Sequence, residues 1–167
     1  MQQGCIWKSI GAGALGGLAA SFAMNQFQAV LSSAKKAVAE GPEGQQESSG
    51  GGEDANVKTA EAISEKLGGH KLSEAEKKWA GPAVHYGFGT LMGAVYGALE
   101  YSVPEIGLGR GALFGTALWL GADEIAVPAF GLSGPPTETP VSSHLSGLAA
   151  HLVYGLVTDL VKRSVVR

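Results

Sequence analysis

The 167-residue chain is 45% hydrophobic and only 16% charged, with a net charge of −3 at pH 7, whereas soluble domains carry about 25% charged residues. No basic tract offers a footprint for nucleic acid, and the single cysteine, Cys5, excludes an internal disulfide and any cysteine-based zinc site within one chain. Mean hydropathy is only +0.12, because a polar stretch and 26 glycines dilute the apolar segments.

The first predicted element covers residues 6–31, about the 20 residues that a membrane helix needs. Gly13 with Gly17, and Ala12 with Gly16, are small residues four apart, the spacing that lets helix backbones approach. Lys8 followed by the apolar run 9–23 also fits a cleaved signal segment. The continuation to Val30 and Leu31 favours a retained helix.

Residues 40–55 combine Gly, Ser and Gln with five acids and no base, the composition of a mobile linker. From 56 to 67 the spacing turns helical, with Val57, Ala60, Ile63 and Leu67 near one face, and Gly68–Gly69 stop it. Ser73 and Glu76 have capping-box spacing and start another short helix. Trp79 then sits where an interfacial aromatic is expected. The pair reads either as amphipathic helices lying on a membrane or as a solvated helical hairpin.

The second membrane segment is 82–103, with Pro82 suited to a first helical turn. Gly89, Gly93 and Gly97 line one stripe, a doubled GxxxG that calls for a partner helix. The third segment is 109–132, where Gly111 and Gly115 repeat the spacing and Pro128 kinks or ends the helix. Residues 131–142 hold Gly134, Pro135, Pro136 and Pro140 and form a loop or re-entrant turn. The fourth segment is 143–161, capped by Ser142 or Ser143 and closed by Lys162, Arg163 and Arg167.

This order of features resembles the YagU-like family of bacterial inner-membrane proteins, whose biochemical activity is unknown. The resemblance runs from His85 through Glu100 and Pro104 to the end. It is most specific in Gly131-Leu132-Ser133-Gly134-Pro135-Pro136, in His151-Leu152-Val153-Tyr154 and in the Lys162-Arg163 ending. It implies an inner-membrane location and a loose association with acid tolerance, and it supplies no catalytic residues.

The expected fold is all-α and polytopic, with about four transmembrane helices packed through Gly89, Gly93, Gly97, Gly111 and Gly115. Residues 1–32 form the first helix, 33–80 the linker and surface helices, and 81–167 a three-helix membrane region. An even number of spans puts both termini on one side, and the Lys8, Arg110, Lys162, Arg163 and Arg167 set points that side to the cytoplasm.

Ionisable groups are costly in hydrocarbon, so those within the apolar half face a protein interior, water or a ligand. His144 and His151 are seven apart and share a helix face. His85, Asp123 or Glu124, and His144 are expected to approach one another, with His151 deeper. Such a set can hold a haem or chlorophyll-type pigment, bind a divalent metal, or relay protons. The plainer reading is that each histidine hydrogen-bonds a neighbouring helix and holds the bundle together. Glu100 and Asp159, near helix ends, are expected to be solvated or paired. No P-loop, nucleophile elbow or zinc-protease motif is present. The expectation is a non-enzymatic helical bundle whose partners are the lipid bilayer and either copies of itself or other membrane proteins, as a subunit of a larger complex. The alternatives are a haem- or pigment-binding module and a proton- or ion-handling protein.

Overall fold

The computed structural model describes residues 2–39, 51–107 and 109–166. The expected linker falls mainly on 40–50, outside the described residues. The elements are α1 (Gln2–Ala39), α2 (Gly51–Ile63) with a π-helical turn (Ser64–Gly68), α3 (Glu74–Ser102), a 3-10 turn (Pro104–Gly107), α4 (Ala112–Leu118), a π-helical segment (Trp119–Ala126), α5 (Val127–Ala129), a 3-10 turn (Pro136–Glu138) and α6 (Val141–Val166). Among the described residues there is no strand.

α1 lies against both α3 and α6, α4 packs on α6, and α2 packs on α3. Gly13 and Gly17 meet Gly97, Gly93 and Gly89 in reversed order, so α1 and α3 are antiparallel. Gly111 and Gly115 meet Gly155 and His151 in the same reversed sense, so α4 and α6 are antiparallel too. One end of the bundle therefore gathers the start of α1, the end of α3, the start of α4 and the end of α6. The other gathers the end of α1, the α2 hairpin, the 131–140 turn and the start of α6.

Glycine sets the spacing of these helices. A Cβ on Gly93 would lie 2.7 Å from the Gly17 Cα, and one on Gly16 would lie 2.6 Å from the Thr158 carbonyl oxygen. Helices this close gain dispersion contacts along their whole seam. The stripe Gly89, Gly93 and Gly97 is thus filled by α1 of the same chain, and the partner helix that it called for is internal. Gly111 packs by the same logic from just before α4, where its φ of 81° suits the residue without a side chain.

Burial is inverted relative to a soluble bundle. The buried residues include Ala12, Ala20, Ala150, Ser9, Ser21, Thr158 and Asp159, and the larger side chains among them are Tyr96, Tyr154, Met24, His151 and Lys162. Leu15, Phe22, Leu91, Leu113, Leu120, Leu156 and Leu160 point outward. The buried hydroxyls are satisfied locally: Ser21 donates to the Gly17 carbonyl at 3.0 Å and Thr158 to the Tyr154 carbonyl at 2.8 Å, within their own helices. Ser9 donates across the seam to the Gly97 carbonyl at 2.8 Å. By length and composition, α6 is the one helix among the described residues apolar enough to cross a membrane. Glycine and interior polar groups keep α1 and α3 below that level, and α4 and α5, at 7 and 3 residues, are too short.

Several expected boundaries move. α2 begins at Gly51, so residues 51–55 belong to a helix and not to the linker. Ala55 and Ala60 are buried on this helix, and one more turn on a packed helix adds a bond per residue without a new nucleus. The Ser73–Glu76 capping box forms, with Ser73 N–H donating to Glu76 at 2.7 Å. It starts α3 itself and not a separate short helix. α3 runs through Pro82, which is exposed while Gly81 on the opposite side packs against Val57. Residues 51–81 therefore form a helical hairpin. α6 starts at Val141, ahead of Ser142 and Ser143, so neither serine is its cap.

The rod that begins at α4 widens into π-helix from Trp119 to Ala126 and ends at Ala129, one residue after Pro128. Its close is a Schellman motif: Leu132 N–H donates to the Val127 carbonyl and Gly131 N–H to the Pro128 carbonyl, with Gly131 at φ 71°.

Candidate functional site

Two polar clusters sit at opposite ends of α6. The first joins α3 to the end of α6. Tyr96 O–H donates to Asp159 Oδ1 at 2.6 Å. Arg163 Nε donates to both Asp159 oxygens at 2.9 and 2.8 Å, and its Nη2 donates to Glu100 Oε1 at 3.1 Å and to the Gly107 carbonyl at 3.3 Å. Lys162 pairs with the same Glu100. Asp159 is 1% exposed and Lys162 6%. Glu100 and Asp159 are thus paired and not solvated. Two acids meet two bases with a tyrosine hydroxyl completing the set, as buried charge requires. The signal in the sequence was the i,i+4 pair Asp159–Arg163; that Glu100 and Tyr96 would meet it needed the register of α3 on α6.

The second cluster lies between the π-helical segment and the first half of α6, with α3 beside it. His144 Nδ1 is 2.7 Å from Glu124 Oε1 and its Nε2 is 3.0 Å from the Pro136 carbonyl oxygen. His151 Nδ1 is 3.0 Å from the Gly147 carbonyl and 3.6 Å from Asp123 Oδ2. His85 Nε2 is 3.4 Å from the Ser21 carbonyl on α1, and its ring meets Tyr86 edge-on. Gly147 leaves room for the Trp119 indole, whose Nε1 would lie 3.1 Å from a Cβ there. His144 pairs with Glu124 and His151 with Asp123, while His85 interacts electrostatically with both Asp123 and His151. Adjacent residues on a helix diverge by roughly 100°, so Asp123 and Glu124 reach different histidines of the antiparallel α6.

This geometry bears on the cofactor readings. Both ring nitrogens of His144 are engaged, one with the Glu124 carboxyl and one with the Pro136 carbonyl, so in this arrangement none is left for a haem iron or a pigment metal. His85 and His151 each have one nitrogen bonded to a backbone carbonyl, which fixes ring orientation. Among the described residues, no group of three or more His, Cys, Asp or Glu side chains converges as a metal site. The cluster can hold and exchange protons: it combines imidazoles, carboxylates and partial exposure, with Asp123 44% and His151 8% exposed.

The fold and the clusters define an all-helical protein with titratable groups packed between glycine-seamed helices. The chain belongs to the family described as "Protein of unknown function (DUF1440)", whose model matches residues 55–160. That span holds all of the second cluster and reaches Asp159 in the first, and it is consistent with the YagU-like resemblance. No curated protein and no solved structure matches the chain.

Proposed function

We propose that this chain is an integral protein of the bacterial inner membrane that crosses it four times, through α1, α3, the α4–α5 rod and α6. In this reading both termini are cytoplasmic, its partner is the lipid bilayer, and its role is carried by the bundle interior without catalysis. The observation that carries the reading is the inverted burial: large apolar side chains face outward on every one of these helices while small and polar ones face in. Hydrocarbon outside makes that arrangement favourable, and water outside makes it costly. From Ser9 to Phe27 on α1, and over matching stretches of α3 and α6, the seam runs about 27 Å at 1.5 Å per residue, the thickness of a bilayer core. The α2 hairpin and the start of α3 then stand outside the hydrocarbon. The glycine stripe of α3 is filled within the chain, so an oligomer or larger complex needs some other surface. Fractionation tests the reading: the protein is expected to stay with membranes through alkaline carbonate washing, and release into the wash would contradict it.

A second reading, proton or ion handling, is favoured by one observation. His144, His151, Tyr154, Thr158, Asp159 and Lys162 line a single helix from end to end, and all but His144 are buried. Polar columns of this kind inside membranes mark proton and ion paths. Proteoliposomes are expected to show a proton or cation flux that Asp123→Asn and His151→Ala abolish. Flux indistinguishable from empty liposomes would remove this reading and leave the membrane assignment standing.

A further inference from the structure

We propose that Glu124 and His144 hold one proton between them that latches the 131–140 turn onto the end of the bundle, and that the turn is released when the pair gives this proton up. The inference goes beyond the membrane assignment and does not depend on transport.

The Pro136 carbonyl can only accept, so the His144 Nε2 at 3.0 Å carries a hydrogen and donates it. The other ring nitrogen faces the Glu124 carboxyl at 2.7 Å. A hydrogen bond of that length needs a proton on one side or the other: either imidazolium donates to carboxylate, or a neutral acid donates to neutral imidazole. When the pair gives that proton up, the neutral ring keeps one N–H: on Nδ1 it donates to the Glu124 carboxylate and the Nε2 lone pair faces and repels the Pro136 carbonyl, and on Nε2 the Nδ1 lone pair repels the carboxylate and turns the ring away. Either way the bond to Pro136 is lost.

Among the described residues, the other hydrogen bonds of the turn are mostly local. Glu138 N–H donates to the Pro135 carbonyl, Thr139 N–H to the Pro136 carbonyl, and Ser133 Oγ to the Gly134 carbonyl, all within the turn itself. The Schellman close at Gly131 and the start of α6 at Val141 fix its two ends. His144 is the side chain of the bundle that grips its middle. The pair is sheltered, with Glu124 16% and His144 24% exposed, so water does not simply replace the bond.

The charged and titratable surroundings set the direction. From the rod come Glu124 and its neighbour Asp123, which is turned toward His151. On α6 the next titratable group is His151, two turns on. The turn contributes Glu138, which is exposed. The attached state is the proton-bearing one, so attachment is present at lower pH and is lost as pH rises past the point where the pair releases its proton.

The test uses the full chain in lipid nanodiscs, with Cys5→Ser and Thr137→Cys carrying a spin label. The label is expected to be immobile at about pH 6 and to become mobile toward about pH 10, reversibly. His144→Ala should be mobile throughout. Glu124→Gln should stay immobile throughout, because an amide N–H can donate to Nδ1 while Nε2–H still donates to Pro136. Nitrogen-15 spectra of labelled histidine give a second readout: the two signals lost in His144→Ala should both be N–H type near neutral pH, or one should report a nitrogen sharing an acid's proton. A label whose mobility is the same at both pH values overturns the latch. So does a pH response that survives unchanged in Glu124→Gln.

Discussion

At the scale of single residues, two glycines on the same helix have opposite prospects. Gly93 faces the backbone of α1, while a Cβ on Gly87 would meet nothing within 4 Å. Gly93→Ala should therefore force α1 and α3 apart and cost about 1–3 kcal/mol. Gly87→Ala should gain up to about 1 kcal/mol from helix propensity. Unfolding in a detergent–denaturant titration checks both; equal effects of the two substitutions would mean the seam does not exist. Asp159 is the residue whose loss should matter most in the first cluster, because Tyr96 and Arg163 both lean on it. Asp159→Ala takes the acceptor from the buried Tyr96 hydroxyl and one of two carboxylates from Arg163, which Glu100 still holds, so it should cost roughly 1–3 kcal/mol. Tyr96→Phe removes one hydroxyl and leaves the ion pairs in place, so a cost of about 1 kcal/mol is expected. A Tyr96→Phe effect as large as that of Asp159→Ala would contradict this division. Which titratable residues would lie in the bundle was legible from the chain, since His85, Asp123, Glu124, His144 and His151 stand out in an apolar half. Their pairing was not, because it depends on how far α6 slides along the rod.

At the scale of elements, the start of α3 is set by chemistry that four residues spell out. Ser73 and Glu76 exchange hydrogen bonds as a capping box, and those bonds, the Ser73 hydroxyl foremost, hold the Glu76 carboxyl below its usual range. A depressed carboxyl contributes stability above its ordinary value and loses it as pH falls through the native one. The hairpin should therefore fray at its α3 start under strongly acid conditions. Nearby, hydrogen bonds to Glu74 and Glu61 raise Lys77, so its share is present at neutral pH and lost only in strong alkali. Ser73→Ala should destabilise the hairpin by about 0.5–2 kcal/mol. Faster amide exchange confined to the first turns of α3 is the expected sign, and unchanged exchange there would show that packing of α2 alone sets the start. The capping box was readable from the sequence, but its consequence was not. Pro82 looked like a beginning because proline is disfavoured inside helices, and only the packing of Gly81 on Val57 shows why the helix continues through it. The π-helical widening from Trp119 to Ala126 left no sequence signal at all.

At the scale of the molecule, the chain turns its large apolar side chains out and its glycines, hydroxyls and ions in. Sequence patterning made the glycine stripes visible but could not say whether the partner helix was internal, since GxxxG reads the same in either case. It is the pairing of Gly13 and Gly17 with Gly89, Gly93 and Gly97 that closes the seam within one chain. The hydropathy of α1 and α3 was weak because the glycines and polar residues that line a close seam are among the least apolar. Membrane crossing by all four is the central claim, and side-specific labelling tests it most directly. In a Cys5→Ser background, single cysteines at Gly109, Ser164, Lys71 and Ser133 would be probed in intact cells with a membrane-impermeant maleimide. The four-span account predicts that Lys71→Cys and Ser133→Cys label from outside, while Gly109→Cys and Ser164→Cys label only after the membrane is opened. If α6 alone crosses, Lys71→Cys, Gly109→Cys and Ser133→Cys will behave alike and Ser164→Cys will be the odd one out.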